Sequence, residues 1–130
     1  RQDAEGEGGV VAIFYNKIMR GLTPIIYGNG KQTRDFIYVK DVAKANIQAL
    51  AYGSKGVFNV STECSTSVNS LLSTMSKILG FDIKPVFKTE RLGDIRHSIL
   101  SNELTKKELK WSPKYSLNEG LLEMMEISSI

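Results

Sequence analysis

A chain of 130 residues is the size of one domain and long enough to bury a modest core. Its 42% hydrophobic and 24% charged residues are ordinary for a globular protein, and no apolar run approaches the roughly 20 residues that cross a bilayer. The formal charge of +3 is spread along the chain, with Lys106-Lys107 the only adjacent basic pair, so neither a nucleic-acid-binding face nor a membrane span is expected.

The opening Arg1-Gln2-Asp3-Ala4-Glu5-Gly6-Glu7 is polar and acidic, unlike a signal peptide, and no initiator methionine precedes it. The expectation is a piece of a longer chain, with residues 1–9 as a linker. The single cysteine, Cys64, suits a reducing cytoplasm and is expected to be a small buried or half-buried filler.

In chain order, Val10, Val11, Phe14, Ile18 and Met19 recur at helical spacing over 10–20, with Gly21 as the stop. Residues 24–27 read as a short strand ended by the turn Gly28-Asn29-Gly30. The run 35–39 predicts a second strand. Asp41 is then expected to cap a helix that turns Val42, Ala45, Ala49 and Leu50 inward and closes at Gly53. A brief buried strand is expected over 57–60. Ser67 then caps the clearest helix, with Val68, Leu71, Leu72, Met75, Ile78 and Leu79 on one face and Gly80 just beyond. Residues 84–88 predict an edge strand, because Pro85 has no N–H for a ladder. Two helices finish the chain near 102–110 and 117–127, the last opened by the capping box of Ser116 and Glu119. This is α/β material with three or four short strands and about five helices, too few strands for a complete doubly wound sheet.

The motifs of catalysis are missing. A dinucleotide loop needs Gly-x-Gly-x-x-Gly between a strand and a helix, whereas Gly28-Asn29-Gly30-Lys31-Gln32-Thr33 lacks the third glycine and leads toward a strand. Tyr27 and Lys31 have Tyr-x-x-x-Lys spacing, but two intervening glycines prevent one helical face from holding both. His97 has no partner at metal-ligand spacing and is expected to be a hydrogen-bonding histidine. No catalytic, cofactor-binding or metal-binding residue is therefore assigned. What remains is two Arg–Asp neighbourhoods, Arg34 with Asp35 and Arg91 with Asp94. A guanidinium suits bidentate contact with phosphate, but on residue types alone exposed ion pairs explain such neighbours better.

Their surroundings are more specific. Arg1-Gln2-Asp3 and Gly9-Val10-Val11-Ala12-Ile13-Phe14 precede Tyr27-Gly28-x-Gly30-x-Gln32-x-Arg34-Asp35-Phe36-x-Tyr38-Val39-x-Asp41-Val42-Ala43. Then come Phe58-Asn59-Val60, Thr66-Ser67-Val68, Arg91-x-Gly93-Asp94 and Lys106-x-Glu108-Leu109-x-Trp111-x-Pro113. Order and spacing together resemble the C-terminal region of extended short-chain dehydrogenases, the NAD-dependent epimerase/dehydratase family typified by UDP-glucose 4-epimerase. The resemblance implies a single C-terminal nucleotide-sugar-binding domain over 1–130, with an incomplete Rossmann sheet and no N-terminal NAD-binding half. It implies a UDP-sugar as ligand, NAD in the intact parent enzyme but none held here, and no activity for this part alone. By matching position, Arg34 and Arg91 would contact the diphosphate, and Asp94 would orient an arginine or meet the ribose. Val10, Phe14, Ile26 and Tyr27 would wall in the uracil. Ser98 stands where members confined to plain hexoses have tyrosine, which hints at N-acetylhexosamines.

Two departures from the family pattern are Leu92, where proline is usual, and Ser61, where glycine is usual. The same scaffold serves 4,6-dehydratases and decarboxylases, and a stand-alone binding or interaction module is the alternative outside enzymes. Strands and helices built to meet a missing half would leave open edges and apolar faces. Self-association, as a homo-oligomer, or a partner supplying that half is therefore expected.

Overall fold

The computed structural model describes residues 9–52 and 55–127, which form five α-helices and four short strands. They fall into two compact units, residues 9–33 with 66–97 and residues 34–52 and 55–65 with 98–127.

In the first unit, α1 (Val10–Met19) packs against α3 (Val68–Leu79), and Phe14 and Ile18 of α1 are buried together with Val68, Leu71, Leu72 and Met75 of α3. Each such side chain removed from water contributes about 1.5–3 kcal/mol. The ends of α3 follow the sequence pattern. The Ser67 hydroxyl accepts from the Ser70 N–H at 3.0 Å, and Gly80 takes the left-handed conformation at φ 70°. Two further amides at the start of α3 donate to the glycine turn, Val68 to the Gln32 carbonyl and Asn69 to that of Gly30. Strand β1 (Ile25–Tyr27) runs parallel to β4 (Val86–Lys88), with Ile26 opposite Phe87 and Tyr27 opposite Lys88. All three residues of β4 are exposed, as the edge reading of 84–88 expects.

In the second unit, α2 (Val39–Tyr52) packs on α4 (Glu103–Leu109). Ala45, Leu109 and Trp111 form a buried cluster flanked by Ile37, Ala49, Phe58 and Val60. α5 (Leu117–Ile127) buries Leu121 and Met125. It opens with a reciprocal box in which the Glu119 carboxylate accepts from the Ser116 N–H at 2.8 Å and the Ser116 hydroxyl accepts from the Glu119 N–H at 3.2 Å.

Five expectations need correction. Residues 35–38 are not a strand. The Tyr38 carbonyl already accepts from the amides of Asp41 and Val42, so the helix begins there. Asp41 consequently lies inside α2 and is not its cap. It is 1% exposed, its carboxylate accepts the amides of Lys114 and Tyr115 at 3.0 Å, and its carbonyl accepts the Trp111 indole N–H at 3.0 Å. Leu50 points away from the core at 86% exposure. The segment 57–60 is not a strand either, and Val57 is 91% exposed. Side chains take carbonyls here: that of Asn59 accepts from Thr105 and that of Ser61, just beyond the segment, from Asn102. Cys64 is exposed rather than buried. The closing glycine of α2, Gly53, lies outside the described residues, as do residues 1–8 of the expected linker.

Two strands that the sequence pattern did not announce are β2 (Thr33–Arg34) and β3 (Thr66–Ser67), which pair with each other. Ser61 keeps an ordinary backbone, since Glu63 and Lys110 are the described non-glycine residues at positive φ. The Ser61 hydroxyl donates to the Leu100 carbonyl at 2.9 Å, a bond that glycine would not make.

Candidate functional site

In the first unit the candidates gather where β1 and β4 end. The β1–β4 register brings Tyr27 beside the chain that leaves β4, and the Arg91 guanidinium carbon sits 3.9 Å from the centre of the Tyr27 ring. Arg91 lowers the Tyr27 hydroxyl from its ordinary value of 10.0 through hydrogen bonding and charge, with smaller contributions from Lys88 and Lys17. The Tyr27 hydroxyl is thus influenced by cations from α1, β4 and the following loop.

That loop is closed by its own turn. The Asp94 N–H donates to the Arg91 carbonyl at 3.2 Å, and Gly93 sits at φ 83°, the region that the third residue of a type II turn occupies. Leu92, in the usual place of proline, is fully exposed, and the turn forms without that ring. Arg96 lies 3.3 Å from the Glu90 carboxylate, and both side chains are at least half exposed. Thr33 anchors the far foot of the loop: its amide donates to the Arg96 carbonyl at 2.7 Å, and its hydroxyl is 3.0 Å from His97 Nδ1. His97 thus serves as a hydrogen-bonding partner.

The glycine turn does not fit a dinucleotide cradle. It leads into β2 rather than a helix, and the space beside Gly30 is filled by Asn69. A Cβ at Gly30 would lie 2.0 Å from Asn69 Oδ1, and Asn69 Nδ2 donates to the Asn29 carbonyl at 3.0 Å. The backbone approach that a pyrophosphate would require is already taken by a side chain. Lys31 lies past the turn from Tyr27, and its amide donates to Asn29 Oδ1, so the two share no helical face. Among the described residues, no three or more His, Cys, Asp or Glu side chains converge as for a metal ion.

The remaining candidates lie in different settings. Phe14 and Ile26 are each 1% exposed and belong to the first unit's core, while Val10 is half-buried at the start of α1. Arg34 and Ser98 belong to the second unit and are both half-buried. Asp35, proposed as a partner for an arginine, directs its carboxylate to the amides of Thr62 and Glu63 at 2.9 and 3.0 Å. Sequence reasoning named Tyr27 and Arg91 separately and missed their contact, the Glu90–Arg96 pair and the role of Asn69. No spacing links these residues, so only the fold could have shown them.

The chain matches the GDP-mannose 4,6 dehydratase family over residues 1–124 and belongs to it, within the extended short-chain dehydrogenases of the epimerase/dehydratase kind. It is 41% identical over 122 residues to a putative UDP-glucose 4-epimerase of Methanocaldococcus jannaschii, an alignment covering 93% of this chain and 39% of that protein. It resembles the structure of Thermotoga maritima UDP-glucose 4-epimerase with UDP-glucose, with TM-score 0.89 and 43% identity, over 100% of this chain and 43% of that one. A Thermus thermophilus UDP-glucose 4-epimerase in complex with NAD matches with TM-score 0.80 and 33% identity, covering 94% of this chain and 40% of that one. The chain thus spans about two fifths of the length of these relatives. No described helix is long and apolar enough to cross a membrane.

Proposed function

We propose that this chain is the UDP-sugar-binding portion of an NAD-dependent nucleotide-sugar 4-epimerase and binds without carrying the chemistry. The observation that carries the reading is Arg91, an exposed guanidinium held against Tyr27 at the end of β1. An arginine so placed matches a diphosphate in charge and in the planar arrangement of its donors. In this reading Asp94 meets the ribose or orients an arginine, Val10 and Tyr27 border the base while Phe14 and Ile26 belong to the core, and Arg34 is a separate candidate for a phosphate contact by its place in the family pattern. Such contacts hold substrate and transition state alike, which is how a nucleotide handle can be gripped while the sugar is left free to turn. Bound NAD would supply hydride transfer, and we assign it to the part of the enzyme outside this chain, which would also cover exposed apolar residues of α2 such as Ile47 and Leu50. The exposed thiol of Cys64 suits a reducing cytoplasm.

Calorimetry with UDP tests the binding role. Arg91→Ala or Arg34→Ala is expected to raise Kd about tenfold or more, the worth of one lost charge-assisted hydrogen bond. Unchanged affinity in both variants would remove the diphosphate assignment. The chain supplied with NAD and UDP-glucose is expected to show no epimerisation, and measurable turnover would overturn the separation of binding from chemistry. In the intact enzyme, Ser98→Tyr is expected to reduce use of N-acetylated sugars relative to plain ones. Unaltered discrimination would remove Ser98 from sugar choice.

A further inference from the structure

Two arginines share the loop after β4, and their surroundings differ. Arg96 faces the Glu90 carboxylate through Nε and a terminal nitrogen, both at 3.3 Å. Arg91 instead meets an aromatic face, with 3.9 Å between its guanidinium carbon and the Tyr27 ring centre. These contacts use different parts of a guanidinium. An ion pair spends the in-plane N–H donors, whereas contact with a ring spends the face, so that apart from the donor shared with the Tyr27 hydroxyl the in-plane N–H groups of Arg91 remain for a ligand. Tyr27 itself is fixed by the parallel pairing of β1 with β4 opposite Lys88, and its carbonyl accepts the Gln32 side-chain amide at 2.9 Å. Arg91 is fixed from its other side by the turn that its carbonyl closes with the Asp94 amide.

We infer that Tyr27 is a positioning residue for Arg91, its ring face holding the guanidinium flat so that the in-plane donors meet a phosphate-class anion. This rests on the nucleotide-sugar reading and changes one part of it: Tyr27 acts through the arginine rather than as a wall for the base. A long side chain loses rotamer freedom when it grips a ligand, and a platform that restricts it beforehand reduces that loss. Cation–π contacts at exposed sites are worth a factor of about two to five in an equilibrium constant. The lowered ionisation of the Tyr27 hydroxyl beside Arg91 agrees with the contact.

The test is a double-mutant cycle on the 130-residue chain, read by calorimetry with UDP and, separately, with inorganic pyrophosphate. Tyr27→Leu is expected to raise Kd about two- to fivefold, Tyr27→Phe to raise it less because the ring face remains, and Tyr27→Leu to add nothing once Arg91→Ala is present. An equal loss on Tyr27→Leu in both backgrounds would overturn the inference, because Tyr27 would then act independently of Arg91. Ultraviolet titration of the phenols without ligand reads the contact itself. Arg91→Ala should raise the ionisation pH of one tyrosine, the one whose signal disappears in Tyr27→Phe, and no such change would also overturn the inference. Coupling seen with pyrophosphate while UDP fails to bind would support the positioning role and refute the nucleotide reading. Binding of neither probe by the unaltered chain would refute both.

Discussion

Gly30→Ala is expected to destabilise the first unit by about 2–3 kcal/mol, from two separable sources. Gly30 sits at φ 71°, where a Cβ is disfavoured by about 1–2 kcal/mol. The added methyl would also lie 2.0 Å from Asn69 Oδ1 and 2.5 Å from its Cγ, so the Asn69 side chain must leave. That side chain donates to the Asn29 carbonyl at 3.0 Å, and a lost hydrogen bond of this kind costs about 1 kcal/mol. Gly21 provides the internal control: it has φ 66° and nothing within 4 Å of a built Cβ, so Gly21→Ala carries the backbone strain alone. Urea denaturation of both variants, with Asn69→Ala combined with each, separates the two sources. Gly30→Ala should cost about 1 kcal/mol more than Gly21→Ala, and most of that excess should vanish when Asn69 is already alanine. Equal costs for the two glycines, or an excess that survives removal of Asn69, would refute the steric account of this turn.

In the second unit, Asp41→Ala should cost about 3 kcal/mol, because it strands the amides of Lys114 and Tyr115 that now donate to a buried carboxylate. The fluorescence of Trp111, the only tryptophan, reports the urea midpoint, and a loss below about 1 kcal/mol would contradict that accounting. Glu63 is held below its usual 4.5 by hydrogen bonds from Lys106 and then the Asn102 amide, and Glu123 by the hydrogen bond from Lys40. Folded values below unfolded ones mean that these groups stabilise the fold above about pH 4.5, and that this stabilisation is lost as pH falls through the folded values. Glu63→Gln and Glu123→Gln should therefore each lessen the drop in urea midpoint between about pH 6 and about pH 3. An undiminished drop in both would show that other carboxylates govern acid sensitivity.

How far the sequence reached depended on whether the signal was local. Helix α3 was legible from end to end, because Ser67, the apolar spacing from Val68 to Met75 and Gly80 all act within a few residues of one another. The capping box of α5 and the turn after Tyr27 were legible for the same reason. The run 35–39 has strand composition, yet the amides of Asp41 and Val42 and the buried demand of Lys114 and Tyr115 on Asp41 pull it into the approach to a helix. At and just after 57–60, the Thr105 and Asn102 side chains donate to the Asn59 and Ser61 carbonyls, which a ladder would have used. The site divides likewise. Arg91 and Tyr27 were identifiable as residue types in a family pattern, but 64 positions separate them. The sequence by itself determined the helices whose faces and caps are local, the glycine turn and the family. The tertiary structure alone decided that Asn69 fills the turn, that Asp41 is buried, and that β1 pairs with β4 so that Arg91 lies on Tyr27, because each depends on contacts between residues far apart in the chain.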